Sequence, residues 1–120
     1  MDHRGASELQ AFKAAFFKAL AHPVRIRILE LLRHGGRTVQ ELQAALALDQ
    51  AAVSQQLAVL RGKNVVEARK EGTAVRYAVR DPLVGDLLDV ARRIFNNQLA
   101  GTQTMLRALQ REAMRQPRSR

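Results

Sequence analysis

The sequence predicts a mainly α-helical chain with one small β-hairpin, organised as a single domain over residues 1–120. Three observations carry that expectation. Apolar residues recur at helical spacing in several separate segments; one stretch, VVEARK-EG-TAVRYAV, alternates instead; and the joints between segments are start and stop residues rather than long loops. A chain of 120 residues can bury a core without disulfides or a structural metal.

The first helix is expected over residues 7–20, with Ser7 as its N-cap and Leu9, Phe12, Phe16 and Leu20 on one side. His22-Pro23 breaks it and opens a second, because proline is well tolerated at a first helical position. That second helix carries Val24, Ile28, Leu31 and Leu32 as its main stripe and ends at glycines; Ile26 and Leu29 point away from the stripe, so burial on two sides is expected. Thr38 can cap a short third helix, TVQELQAAL, with Glu41 at the capping-box position and Val39, Leu42 and Leu46 facing inward. Asp49 starts a fourth, with Val53, Leu57 and Leu60 inward, after a connection of only Ala47-Leu48-Asp49. Two short helices joined so tightly, residues 38–63, are a helix-turn-helix arrangement, whose second helix can lie in a DNA major groove.

The hairpin follows over residues 65–79: Asn64 ends the helix, Gly72 supplies the turn, and Val66, Ala68, Val75, Tyr77 and Val79 can face the core. Asp81-Pro82 then starts a last helix over residues 82–114, with Gly101 as the place where it can bend or split, before a polar tail at 115–120. Its apolar arc is wide. Leu83, Leu87, Val90 and Ile94 form one stripe and Val84, Leu88, Phe95 and Leu99 another, more than one small domain can cover. The expected answer is a homodimer in which Leu9, Phe12 and Phe16 of the first helix join Leu83, Leu87, Val90, Ile94 and Phe95 of the last against a second copy; the alternative is a monomer whose first helix covers the last.

Twenty Lys and Arg against eleven Asp and Glu give a net charge of +9, which makes polyanions the first partners to consider. Yet from Gln50 to Leu60 the fourth helix carries no charge. Gln50, Ala51, Ser54, Gln55 and Gln56 lie off its apolar side, and these residue types suit direct readout: Gln pairs with adenine, Ser with several base edges, and Ala touches the thymine methyl. Arg37, Arg61, Lys63, Arg69, Lys70 and Arg76 surround that helix and are candidates for phosphate contact, which positions a protein without specifying sequence. Reading and holding are thereby separated, and the expected partner is double-stranded DNA.

The absence of cysteine excludes disulfide frameworks, thiolate metal sites and thiol catalysis, and points to the cytosol. The opening MDHRGASELQ lacks a continuous apolar run, and no segment has the length of a membrane span, so no membrane association is expected. No nucleophile, base and acid set, phosphate loop or paired carboxylates argue for an enzyme. No cofactor is expected; His3, His22 and His34 are the weak candidates for a metal ion, against the plainer reading of helix-terminal or N-terminal histidines.

The segments FKALAHPVRIRILELL, TVQEL and QAAVSQQLAVLRGKNVVEARKEGTAVRYAV together resemble the winged-helix ArsR/SmtB family of bacterial transcriptional repressors, over roughly residues 9–95. The resemblance implies a winged helix-turn-helix dimerising through its first and last helices, repression by operator binding, and release by an effector. It makes Ser54, Gln55 and Gln56 base-contact candidates, with Gln56 standing where many members have His. It also marks departures. The Cys-Val-Cys element of metal-sensing members reads Thr38-Val39-Gln40 here, and the inter-helix zinc ligands read Asp81, Leu83, Ile94 and Asn97, one carboxylate where zinc wants four donors. The effector is therefore left unnamed. The competing reading is a non-specific architectural DNA-binding protein leaning on the Arg-rich segment 107–120, or a winged-helix module for protein contact.

Overall fold

The computed structural model describes residues 3–115, with side chains from residue 5 to residue 114. In chain order the elements are α1 (His3–Leu20), α2 (Pro23–Leu32), α3 (Val39–Leu46), α4 (Gln50–Gly62), β1 (Val66–Glu71), β2 (Ala74–Val79) and α5 (Leu83–Arg115). They fall into two compact units, Met1–Gly85 and Asp86–Arg120.

α1 begins ahead of Ser7, so the expected N-cap is an interior residue. Serine's capping preference is a weak local bias, and a backbone ladder that continues through it overrides the bias. Ala19 and Leu20 are buried at the far end, and Phe16 meets Phe17 edge to face with ring centroids 5.5 Å apart. His22 caps α2, its Nδ1 accepting from the Val24 N–H at 3.1 Å, with Pro23 at the first helical position as expected. Ile28, Leu29 and Leu32 are buried. Ile26 is not: it stays 39% exposed, and the second buried side of α2 reduces to Leu29.

Thr38 and Glu41 form the expected capping box, Thr38 Oγ1 accepting from the Glu41 N–H at 3.2 Å. Ala47 takes the left-handed conformation (φ 55°) that stops α3, and Asp49 then caps α4 by accepting from the Ala52 N–H at 2.7 Å. Asn64 (φ 60°) plays the same stopping role after α4. Leu42, Val53, Leu57 and Leu60 bring α3 and α4 onto Ile28 and Leu29, and Val66 of β1 closes this core.

The hairpin is antiparallel with Val66 opposite Val79, Ala68 opposite Tyr77 and Lys70 opposite Val75. Gly72 (φ 64°) takes the first position of a two-residue turn, the pattern of a type II′ hairpin. Val75 was expected to face the core and does not: opposite Lys70 near the tip it stays 40% exposed, because the core ends two register positions earlier. A third short segment joins the ladder, Arg37 exchanging both backbone hydrogen bonds with Tyr77 at 2.9 and 2.8 Å. Gly36 lies alongside this pairing, where a Cβ would be in ordinary van der Waals contact with the Tyr77 carbonyl oxygen at 3.4 Å.

Asp81 caps α5 through the Leu83 N–H at 2.9 Å. The helix then runs unbroken past Gly101, where neither bend nor split was needed: an isolated glycine lowers helix propensity by about 1 kcal/mol and good helix formers on both sides absorb it. Val84, expected on the second of the two stripes left for a partner to cover, is already buried in the single chain. Among the described residues no helix is long and apolar enough to cross a membrane. Of the tail expected at 115–120, Arg115 is the last residue of α5, and residues 116–120 lie outside the described residues.

Candidate nucleic-acid interface

The 3.6-residue period turns Val53, Leu57 and Leu60 of α4 into the core, and the opposite side is therefore open. Gln50, Ala51, Gln55 and Ala58 are exposed there and Ser54 is half-buried, so five uncharged short or amide side chains cover the outward surface. None of them brings a charge that would have to be neutralised on meeting a base edge.

Gln56 is placed elsewhere. It is half-buried, and its Oε1 accepts from Arg25 Nη1 of α2 at 3.0 Å. The same guanidinium donates through Nε to the Ala19 carbonyl at 2.7 Å and through Nη2 to the Lys18 carbonyl at 3.3 Å. Gln56 follows Gln55 by 100° around the helix, enough to move it from the outward face to the flank that meets α2. The side chain expected to read bases is occupied in holding helices together.

The six flanking cations separate into groups. Arg61, Lys63 and Lys70 are exposed and have no hydrogen-bond or carboxylate partner among the described residues. Arg69 is exposed but held by Glu67, through Nε at 2.9 Å and also through Nη2. Arg76 is half-buried: Nε meets Glu71 Oε2 at 2.7 Å, while Nη1 donates to the Gly36 carbonyl at 3.0 Å and reaches Glu41 at 3.4 Å. Arg37 is half-buried too, with Nε on the Leu31 carbonyl at 3.2 Å. For Arg37 and Arg76 the structure thus supplies protein partners at the places where phosphates were expected. Arg80, not singled out by the sequence, is exposed and donates to Asn64 Oδ1 at 3.3 Å.

Between the C-terminal half of α4 and β2 lies an open cleft of about 440 Å³, lined by Ser54, Leu57, Ala58, Arg61, Gly62 and Tyr77. Among the described residues no carboxylate lines it, and Arg61 is the one cation that does.

Of the metal candidates, His22 uses Nδ1 as a helix cap, His34 is exposed after α2, and the His3 side chain lies outside the described residues. Among the described residues no three His, Cys, Asp or Glu side chains gather into a group. Asp81, the one matching carboxylate, is the cap of α5, and Thr38 the cap of α3. On the dimer candidates, Leu9, Phe12, Leu83, Val90, Ile94 and Phe95 are exposed, Phe16 and Leu87 half-buried; Phe17, beside Phe16, is also 57% exposed and lies outside the first helix's apolar stripe, so the spacing does not single it out.

Comparison with known proteins agrees with this geometry. A helix-turn-helix domain family matches residues 20–69. The HTH-type transcriptional regulator Rv0081 of Mycobacterium tuberculosis is 45% identical over 102 residues, 84% of this chain and 90% of that one; its crystal structure, at 46% identity, superposes with a TM-score of 0.73 over 78% of this chain and 95% of its own. The regulator NmtR of the same organism is 40% identical over 85 residues, 71% of each chain. The solution structure of the homodimeric winged helix-turn-helix DNA-binding domain of Mb0332 from Mycobacterium bovis, described as a possible ArsR-family regulator, is 31% identical with a TM-score of 0.73 over 82% of this chain and 91% of that one. By sequence and by fold the chain belongs to the ArsR/SmtB family of winged helix-turn-helix transcriptional regulators, which are DNA-binding proteins and not enzymes.

Proposed function

We propose that this chain is a homodimeric repressor that reads an inverted-repeat operator with Gln50, Ala51, Ser54 and Gln55 of α4 and grips phosphates with Arg61, Lys63 and Lys70, Arg69 assisting from the wing. The observation that carries the reading is the sorting of charge in space: a neutral, exposed face on the second helix of the helix-turn-helix, bordered by cations that have no protein partner among the described residues. Family membership weighs against a protein-contact module, and the homodimeric state described for the Mb0332 domain supports a twofold partner here, with the exposed apolar residues of α1 and α5 as its faces. Twofold symmetry sets the half-sites about one helical turn, roughly 34–36 Å, apart. The chain contains no thiolate, so an effector that releases the operator acts through other groups.

The test is fluorescence anisotropy of the purified chain on the DNA immediately upstream of its own gene and on scrambled DNA of equal length, across a salt series. A preference of about 4 kcal/mol or more at physiological salt is expected for a site-specific regulator. Equal affinity for both, vanishing steeply as salt rises, would overturn the reading in favour of architectural binding.

A further inference from the structure

The cleft between α4 and β2 is built on one stripe of the helix. Ser54, Leu57, Ala58, Arg61 and Gly62 are related by steps of three and four residues and so share a side of α4, while Tyr77 supplies the wall from β2. Leu57 belongs to the core, and Ala58 and Gly62 add little bulk, which leaves the helix side of the cleft shallow and apolar. Three polar side chains border it, the Ser54 hydroxyl, the Arg61 guanidinium and the Tyr77 phenol, and none of them has a hydrogen-bond or ion-pair partner among the described residues. Gly62 is the least expected lining residue. It lies in the last turn of α4, where glycine costs about 1 kcal/mol against alanine, and a Cβ on it would meet no atom within 4 Å. Neither a left-handed backbone nor a close approach within the chain asks for glycine there, since the positive-φ glycines are Gly35 and Gly72 among the described residues. What its missing side chain leaves is room in the cleft.

We infer that this cleft binds an aromatic monocarboxylate, and that the ligand and the operator exclude one another. One guanidinium with no carboxylate beside it matches one negative charge, and its planar fork pairs with a carboxylate through two parallel hydrogen bonds. The rest of the lining, Leu57, Ala58, Gly62 and the ring of Tyr77, suits a flat apolar body and not further charge, which favours an organic acid over inorganic phosphate. A volume of about 440 Å³ lies in the range of small-molecule sites and leaves room for a fused bicyclic acid. The exclusion rests on the operator reading given above: Ser54 belongs to the base-reading set and Arg61 to the phosphate grip, and both line the cleft. A bound carboxylate takes Arg61 for itself and sets an anion in the path of a phosphate. Ligand at ten times its own Kd then raises the operator Kd about elevenfold, by mass action on a shared site.

The experiment is a titration of the full chain, free of DNA, with 2-naphthoate and with its uncharged analogue 2-naphthamide, read in amide NMR spectra. Saturable shifts are expected at Ser54, Ala58, Arg61, Gly62 and Tyr77, with the naphthamide binding at least tenfold more weakly. Arg61→Gln removes the charge, and Gly62→Leu fills the space with a better helix former; each is expected to weaken 2-naphthoate at least tenfold. Should Gly62→Leu fail to fold, the exposed Arg61 decides alone. In a second arm, 2-naphthoate at ten times its Kd is expected to raise the operator Kd of the unaltered chain about elevenfold. No saturable shift at these residues, or binding indifferent to the substitutions, overturns the ligand site and leaves the operator reading standing. Binding in the cleft with operator affinity unchanged overturns the exclusion. A chain that binds 2-naphthoate here but shows no operator preference by anisotropy overturns the operator reading and keeps the site.

Discussion

Arg25 of α2 donates from Nη1 to Oε1 of Gln56 on α4 at 3.0 Å while its Nε holds the Ala19 carbonyl at the end of α1 at 2.7 Å. One half-buried guanidinium therefore ties three helices together at the level of the reading helix. The planar fork suits this: its donors leave in fixed directions, so the two carbonyl bonds orient the one that reaches Gln56. The orientation of α4 relative to the helices beneath it is set here by hydrogen bonding as well as by Val53, Leu57 and Leu60.

Gln56→Ala is expected to lower stability by about 1.5 kcal/mol, the low end for a hydrogen bond to a charged group because the pair is only part-buried. In anisotropy it should weaken operator and random DNA by the same factor. A change of base preference at one operator position would return Gln56 to the DNA.

Gln55→Ala acts differently, because its side chain is exposed on the outward face and makes no hydrogen bond among the described residues. The expected loss is about 1–3 kcal/mol on the preferred site and close to none on random DNA, with the urea midpoint unchanged. Equal losses on both DNAs would count against α4 as the reading helix.

The sorted cations predict different salt behaviour. Lys70→Ala, which removes an unpartnered charge, should reduce the slope of log affinity against log salt by about 1 on any duplex. Arg69→Ala should weaken both DNAs and flatten the slope as well, since it also leaves Glu67 unneutralised on the wing. Arg76→Ala should show its effect in stability: Glu71, Glu41 and the Gly36 carbonyl all lose a donor. A salt slope changed more by Arg76→Ala than by Lys70→Ala would invert this ordering.

Leu57→Ala empties a position that is 1% exposed between α4 and the rest of the core, for an expected loss of about 2–5 kcal/mol in chemical denaturation. Ala58→Ser, one residue along on the open side, is expected to stay within about 0.5 kcal/mol. If the two variants denature alike, the inward and outward faces of α4 have been exchanged.

What was legible in the residues alone was whatever depends on neighbours along the chain. Thr38 with Glu41, Asp49 before α4, His22-Pro23 before α2 and Gly72 in the hairpin are local devices, each satisfying or shaping backbone groups within a few residues, and all four stand where the spacing put them. The helical period of Val53, Leu57 and Leu60 likewise settled which side of α4 is inside, and hence that its other side is neutral. Ser7 misled because a capping preference is small beside a continuing helix, and Val75 because alternation says which face a residue is on but not where the core ends.

The partners of long side chains were decided only by the tertiary structure. Gln56 and Arg25 are 31 positions apart, Arg76 and Gly36 40, and the Arg37–Tyr77 pairing likewise joins segments distant in sequence. No periodicity encodes such meetings. A sequence shows that a residue is cationic or carries an amide; whether that group is free to meet DNA depends on which carbonyl or carboxylate the fold brings within about 3 Å of it, where a hydrogen bond can form. That is why the reading helix could be named from its residues, whereas the division of its surroundings into free cations and internal struts had to wait for the fold.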